Sequence, residues 1–127
     1  MANVQGATPV FDKQDQYDKI TSGLMPGEQI FAVYDCVGAG TGFMGVTDKR
    51  LILQDNSFVG KKVAVTSIPY SRITSVSVVS DKSRMGRFFS TSSIAVTVSG
   101  AKVYEADFRG DEKAAHVHNV VLHYITA

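Results

Sequence analysis

The sequence predicts a mainly β domain in which seven short antiparallel strands pack as a two-sheet sandwich or a partly open barrel. A short N-terminal helix precedes the strands, and a C-terminal helix covers one end. Short runs of alternating apolar residues, separated by turn residues, span about 29–108 and predict the strands. The chain has 127 residues, 44% of them apolar and 20% charged, which fits one globular domain with a core of its own.

The predicted elements follow in order from the spacing of apolar residues. Residues 1–9 are small and polar and predict a flexible tail, so the single domain is expected over 10–127. Tyr17, Ile20 and Leu24 stand at i, i+3 and i+7 and predict a short helix over about 12–24. Pro26-Gly27 ends this helix.

The first predicted strand, over about 29–38, has apolar residues on both of its faces. A strand of this kind is covered on both sides, and a neighbouring subunit is one cover that an edge strand can use. We therefore predict that the first helix and this strand contact a second subunit. The candidate interface residues are Tyr17, Ile20, Leu24, Ile30, Phe31 and Val33.

The C-terminal segment predicts a helix over about 111–125. Asp111 is a suitable N-cap, and Glu112 suits the first turn. The apolar face of the helix is expected to contain Ala114, Val117, Val120, Val121 and Tyr124.

Bulk properties exclude several classes of protein. A net charge of +1 does not fit a dedicated nucleic-acid binder, so no nucleic-acid partner is expected. The single cysteine, Cys36, rules out an internal disulfide framework, and its apolar surroundings predict a buried, inert thiol. The chain has no run of about 20 apolar residues and no signal-peptide pattern at its start. A cytoplasmic location is the expectation.

One segment carries a recognisable motif: Thr47-Asp48-Lys49-Arg50-Leu51-Ile52-Leu53, then Gly60-Lys61-Lys62, then Ser67-Ile68-Pro69-Tyr70. It resembles the "T-x-K-R-L-I" strand pair and the "S-I-P-Y-x-x-I" corner of the bacterial pleckstrin homology (PH)-like domain family. The resemblance implies a seven-stranded β-sandwich or barrel capped by a C-terminal helix. It also implies a largely uncharacterised function, with ring-like homo-oligomers in some members.

The residues of the motif have structural interpretations of their own. Leu51 and Leu53 are expected in the core, and proline at position 69 fixes a corner between two strands because its φ is locked. Lys49 and Arg50 flank a hairpin and are expected to be solvated rather than to bind a ligand.

Three segments have features of a binding site: 38–42, 61–62 and 82–89. Gly38-Ala39-Gly40-Thr41-Gly42 is similar to a phosphate-binding loop, but a strand follows it where such loops need a helix N-terminus. In the loop 82–89, cationic residues stand beside two phenylalanines, and this combination suits an anionic membrane surface. The alternative is a solvated loop whose phenylalanines return to the core or to a subunit contact. The candidate contacts with an anionic ligand or membrane are Lys61, Lys62, Lys82, Arg84, Arg87, Phe88 and Phe89.

No catalytic, metal or cofactor site is predicted. His116, His118 and His123 lack the spacing and the further ligands of a zinc site, and solvated or interface roles are expected for them. No serine stands in a nucleophile-elbow motif. We therefore predict a non-enzymatic PH-like binding or scaffold domain that assembles with itself, for example as a ring, and that has a protein or peptide partner. The alternative is a peripheral binder of anionic membranes or phosphate-containing ligands through the loop 82–89.

Overall fold

The computed structural model describes residues 8–37, 42–56, 63–80, 91–100 and 102–127. Within these residues, eight strands, two helices and a 3-10 turn follow each other. The first half contains β1 (Val10–Phe11), α1 (Gln14–Ser22), β2 (Ile30–Asp35), β3 (Gly42–Thr47), β4 (Arg50–Asp55) and β5 (Ala64–Pro69). The second half contains the 3-10 turn (Tyr70–Arg72), β6 (Ile73–Ser80), β7 (Thr91–Val98), β8 (Lys102–Arg109) and α2 (Glu112–Ile125).

The strands form two sheets that are not closed into a barrel. One sheet has the order β1-β2-β3-β4-β5, and the other has the order β6-β7-β8. Every neighbouring pair is antiparallel except β1 and β2, which are parallel. The predicted mainly β fold is confirmed: the seven predicted strands are β2 to β8, and a terminal helix lies at each predicted position.

The main core lies between the two sheets and α2. Its largest fully buried side chains include Phe108, Met44 and Leu51. Helix α2 closes this core by packing across β6, β7 and the 3-10 turn. The predicted apolar face is confirmed, because Ala114, Val117, Val120 and Val121 are buried.

Strand β2 is apolar on both faces because it is covered on both. Ala32 and Tyr34 face the main core, whereas Ile30 and Val33 belong to a second cluster beneath α1. The pairing of β2 with β3 shifts by one residue between Ile30 and Ala32. This bulge leaves an extra residue, Phe31, which also faces the main core.

Helix α1 lies close to β3 because residue 45 is a glycine. A Cβ at Gly45 would stand 3.0 Å from side-chain carbons of Ile20, so Ile20 would have to shift by a few tenths of an ångström to admit it. Ile20 is thereby buried against the outer face of the larger sheet.

Two local predictions need correction. Residues 10–11 form β1, a strand that the sequence did not predict because two residues show no alternation. Asp111 precedes α2 but makes no side-chain capping hydrogen bond, and its backbone is already helical. Ser92 of β7 takes over this function: its Oγ accepts the N–H of Ala114 at 3.4 Å and donates to the carbonyl of Gly110 at 2.7 Å.

Candidate binding surfaces

The residues predicted to contact an anionic ligand or membrane lie outside the described residues. These are Lys61, Lys62, Lys82, Arg84, Arg87, Phe88 and Phe89. Their assignment to a ligand or membrane surface therefore stays a prediction from the sequence. The predicted glycine-rich hairpin at 38–42 also lies outside them, except for Gly42.

The predicted subunit contacts are packed inside the chain. Ile20, Ile30 and Val33 join Phe43 and Ile52 in the cluster beneath α1, and Tyr17 and Leu24 pack against its edge. Phe31 is buried in the main core. The structure thus gives all six side chains an intramolecular role, and their contact with a second subunit stays a prediction.

The motif that carries the resemblance forms a buried hydrogen-bond network. We call Glu28, Thr47 and Arg50 the Glu28 clasp. The Arg50 guanidinium binds the Glu28 carboxylate with two hydrogen bonds, from Nε at 2.9 Å and from Nη2 at 3.0 Å. The Thr47 hydroxyl donates to Glu28 Oε2 at 2.7 Å and accepts the N–H of Arg50 at 3.0 Å. The Glu28 side chain is fully buried, and Arg50 is 18% exposed.

The Glu28 clasp joins segments that are far apart in the sequence. Arg50 Nη1 donates to Ser67 Oγ of β5 at 2.7 Å, and Nη2 donates to the carbonyl of Gly23 at 3.1 Å. The Tyr70 hydroxyl donates to the carbonyl of Thr47 at 2.7 Å, which fixes the corner after Pro69. The prediction that Arg50 is solvated is therefore wrong, because its planar fork of donors fits the carboxylate that the sequence places 22 residues earlier.

The Glu28 clasp determines the charge of the Glu28 carboxyl group. Burial alone would raise the pKa of Glu28, but hydrogen bonds from Arg50, from the N–H of Met25 and from Thr47 outweigh burial and lower that pKa to about 2. The carboxylate is therefore charged at neutral pH. A charged pair that is satisfied on every side holds structure rather than binding a ligand.

His116 is half-buried and contacts Tyr34, so it is not a fully solvated histidine, and a role for it at a subunit interface stays a prediction. Its Nδ1 lies 2.6 Å from the Tyr34 hydroxyl, and the two rings meet edge to face at 5.9 Å. Burial lowers the pKa of His116, and burial with the nearby Asp12 and Glu112 raises the pKa of Tyr34 to about 12. The imidazole is therefore neutral at pH 7, and its Nδ1 shares one hydrogen bond with the Tyr34 hydroxyl.

A pH dependence follows from the lowered pKa of His116. Its proton is bound less tightly in the folded than in the unfolded chain, so its contribution is fully present above pH 6.5 and declines as the pH falls below that value. We expect His116→Gln, which keeps an acceptor for Tyr34 but does not titrate there, to remove this decline. Chemical denaturation at pH 7.5 and 5.5 measures the effect. The exposed His123→Gln is the matched control, and an equal flattening there would contradict the assignment.

Cys36 is half-buried rather than fully buried. Burial and the carboxylates of Asp35, Asp107, Asp55 and Asp12 raise the pKa of its thiol to about 12. The thiol is therefore protonated at neutral pH, which supports the predicted inert role.

The β1 strap, Val10–Asp12, covers the outer edge of β2. Val10 pairs with Ala32 and Phe11 with Val33. Asp12 continues this pairing with both its backbone and its side chain: its N–H donates to the carbonyl of Val33 at 3.1 Å, and its Oδ2 accepts the N–H of Asp35 at 2.8 Å.

Lys113 of α2 fastens the β1 strap to the C-terminal helix. Its Nζ lies 3.0 Å from Asp12 Oδ1 and 3.1 Å from Asp12 Oδ2. The same ammonium lies 5.9 Å from the centre of the Tyr34 ring. Backbone and ammonium donors thus converge on one carboxylate.

The remaining sheet edges differ in charge. Strand β8 carries four charged residues in eight: Lys102, Glu105, Asp107 and Arg109. Strands β5 and β6 carry none, and within the described residues neither pairs with a further strand on its outer edge. Valines are exposed in or beside both strands: Val63, Val65, Val78 and Val79. Charges protect an edge from pairing, and β8 is also paired in part, because Phe108 bridges to Cys36. In the part of the chain that the structure describes, the outer edges of β5 and β6 have neither kind of protection.

Other classes of site find no support in the described part of the chain. It contains no group of three or more histidine, cysteine, aspartate or glutamate residues placed to hold a metal ion. Neither described helix is long and apolar enough to cross a membrane.

Sequence reasoning missed the Glu28 clasp, the Tyr34–His116 pair and the β1 strap. The sequence places Glu28 just before an apolar strand, but the spacing does not identify Arg50 as its partner. Nothing in the sequence pattern points from Asp12 to Lys113, 101 residues away.

Comparison with known proteins agrees with the architecture. The family model for the bacterial PH domain matches residues 2–125. No curated protein matches the chain. The family match covers nearly the whole chain, and it includes the strands, the corner and the terminal helix described above. The chain belongs to the bacterial PH domain family.

Proposed function

We propose that this protein is a non-enzymatic binding or scaffold domain that assembles with copies of itself through the open edges of β5 and β6. Membership of the PH domain family supports a binding or scaffold role in general. The single observation that carries self-assembly is the contrast between the uncharged edges of β5 and β6 and the charged edge of β8.

The physical argument starts from unpaired backbone groups. Each open edge presents N–H and C=O groups that another strand can pair with, and neighbouring valines add apolar surface. The two edges belong to different sheets, and the 3-10 turn joins β5 to β6 along the chain. One copy therefore offers two different edges in two different directions. Contact between unlike edges is head-to-tail, and it closes into a ring if the rotation between copies allows it.

The expected interface differs from the one predicted from sequence. The first helix and β2 are already used inside the chain, whereas no described residue pairs with the outer edges of β5 and β6. A ring built in this way is a scaffold that presents each bound partner several times.

A single charge on β5 tests this assignment. Val65 is 60% exposed, so Val65→Lys keeps the core intact and places a cation on the open edge. We expect the variant to be monomeric in light scattering coupled to size exclusion, at concentrations where the unsubstituted chain is assembled. Val103→Lys, at a site 49% exposed on the charged strand β8, is the matched control and should keep the assembled mass. Equal masses for Val65→Lys and the unsubstituted chain would refute the role of β5.

A further inference from the structure

We infer that the edge of β2 is a peptide-binding site, and that the β1 strap is the intramolecular ligand that occupies it. The ligand class is an extended segment of another protein with two apolar residues followed by an acidic one. This proposal rests on the proposed binding role and adds the chemistry of the ligand.

The β1 strap resembles a bound peptide more than a strand of the fold. It pairs through two residues, and both side chains are exposed, at 47% for Val10 and 41% for Phe11. The Phe11 ring contacts that of Tyr17 of α1 in a tilted arrangement, with 4.5 Å between the ring centres. Addition of a short extended segment to a sheet edge is a common mode of peptide recognition.

The chemistry at position 12 restricts the ligand. Without the strap, the N–H of Asp35, the carbonyl of Val33 and the ammonium of Lys113 would all lose the same partner. The two donors converge on one point, and a carboxylate at that point satisfies both of them. A ligand must therefore supply backbone N–H and a carboxylate one residue after the paired dipeptide, as Val10-Phe11-Asp12 does.

The receiving groups have anchors outside the strap. Asp35 Oδ1 accepts a hydrogen bond from Gln16 Nε2 at 2.7 Å. Gln16 is buried, and within the described residues its Oε1 has no hydrogen-bond partner. Lys113 stands in the first turn of α2, whose apolar face is anchored in the main core. Asp35 and the backbone of Lys113 thus have anchors that do not depend on the strap.

The apparent affinity for an external peptide then depends on its competition with the β1 strap. A segment tethered next to its site acts at an effective concentration on the order of millimolar, so the β1 strap masks the edge of β2 from weak external ligands. A partner gains access by displacing the strap, and any change that weakens Asp12 raises the apparent affinity for the partner.

The test uses the full chain and a fluorescein-labelled synthetic peptide with the sequence of residues 8–13, Thr-Pro-Val-Phe-Asp-Lys, followed by fluorescence anisotropy. We expect Asp12→Ala to bind this peptide at least tenfold more tightly than the unsubstituted chain, because its own strap has lost the carboxylate. Adding Lys113→Ala to Asp12→Ala should weaken binding of the peptide at least tenfold. Adding Lys113→Arg to Asp12→Ala instead should leave binding of the peptide as tight as in Asp12→Ala alone. A peptide carrying asparagine in place of aspartate should bind at least tenfold more weakly.

Several results would overturn the proposal. Equal peptide affinity for Asp12→Ala and the unsubstituted chain would show that the strap is not a competitor. Insensitivity to Lys113→Ala would show that no carboxylate is recognised. A larger native mass for Asp12→Ala than for the unsubstituted chain would assign the edge of β2 to a second copy rather than to a partner protein. If thermal unfolding shows that Asp12→Ala has lost the fold, Asp12→Asn serves as the second variant.

This experiment separates the two proposals. Failure of peptide binding leaves the assembled mass of the unsubstituted chain untouched, and a monomeric unsubstituted chain can still bind the peptide.

Discussion

Replacing Arg50 with methionine is expected to lower the free energy of unfolding by about 3–5 kcal/mol, because it leaves the buried Glu28 carboxylate without its counter-charge. Glu28 has no exposed side-chain surface, so water cannot replace the two hydrogen bonds that Arg50 donates. Methionine keeps much of the apolar volume of arginine, which limits the loss to the polar contacts. Urea denaturation followed by circular dichroism measures the change.

The neighbouring residue supplies the control. Lys49 is exposed and stands beside Arg50 in the same turn, and Lys49→Met should change stability by no more than about 0.5 kcal/mol. A loss in Arg50→Met no larger than in Lys49→Met would mean that the Glu28 clasp contributes nothing to stability.

The pH dependence of stability is a second test of the pairing between Glu28 and Arg50. The pKa of Glu28 is lowered from 4.5 to about 2 in the folded chain, so its contribution is fully present above pH 4.5 and is lost as the pH falls towards 2. Without Arg50, burial favours the protonated carboxyl, and acid relieves the buried charge. The stability difference between the unsubstituted chain and Arg50→Met should therefore narrow between pH 7 and pH 3. A constant difference would mean that Glu28 is not the group responsible.

Phe108→Ala is the second large effect, with an expected loss of about 3–5 kcal/mol from the cavity that it leaves. Phe108 is fully buried, and its ring meets that of Tyr34 edge to face at 5.7 Å. Its backbone pairs with Cys36 in an isolated bridge, which joins β8 of the smaller sheet to the end of β2 in the larger one. The side chain therefore holds the two sheets together at the corner where they meet.

Val103→Ala in the same strand is the control, because Val103 is 49% exposed and lies at a position that faces solvent. We expect a change within about 0.5 kcal/mol there. Thermal or urea unfolding of both variants measures the two changes in the free energy of unfolding. Similar losses at the two positions would contradict the assignment of Phe108 to the junction of the sheets.

The architecture was predictable because it depends on local patterns. Alternation of apolar residues marked β2 to β8, and the spacing of Val117, Val121 and their neighbours marked α2 and its buried face. The corner at Pro69 followed from the fixed φ of proline. Each of these signals acts within a few residues, so a single sequence contains it in full.

The polar contacts were not predictable because they join distant segments. Glu28 meets Arg50 across 22 residues, Tyr34 meets His116 across 82, and Asp12 meets Lys113 across 101. The sequence alone does not show whether a charged residue has a partner in the folded chain. Arg50 was expected in solvent for this reason, and it is instead the centre of the network that the family motif encodes.

The candidate interface illustrates the same limit from the apolar side. An apolar stripe on α1 and an apolar β2 fit a contact between subunits and a contact inside the chain equally well. The structure shows the internal contact, through Ile20 and Val33 in one cluster. What the structure adds is the order of the strands, which identifies β5 and β6 as edges.

Native mass, measured by light scattering on the full chain across a range of concentrations up to high micromolar, distinguishes an assembled protein from a monomer. We expect a discrete mass that is a multiple of 13.7 kDa. A single species of 13.7 kDa throughout that range would contradict self-assembly through the open edges of β5 and β6.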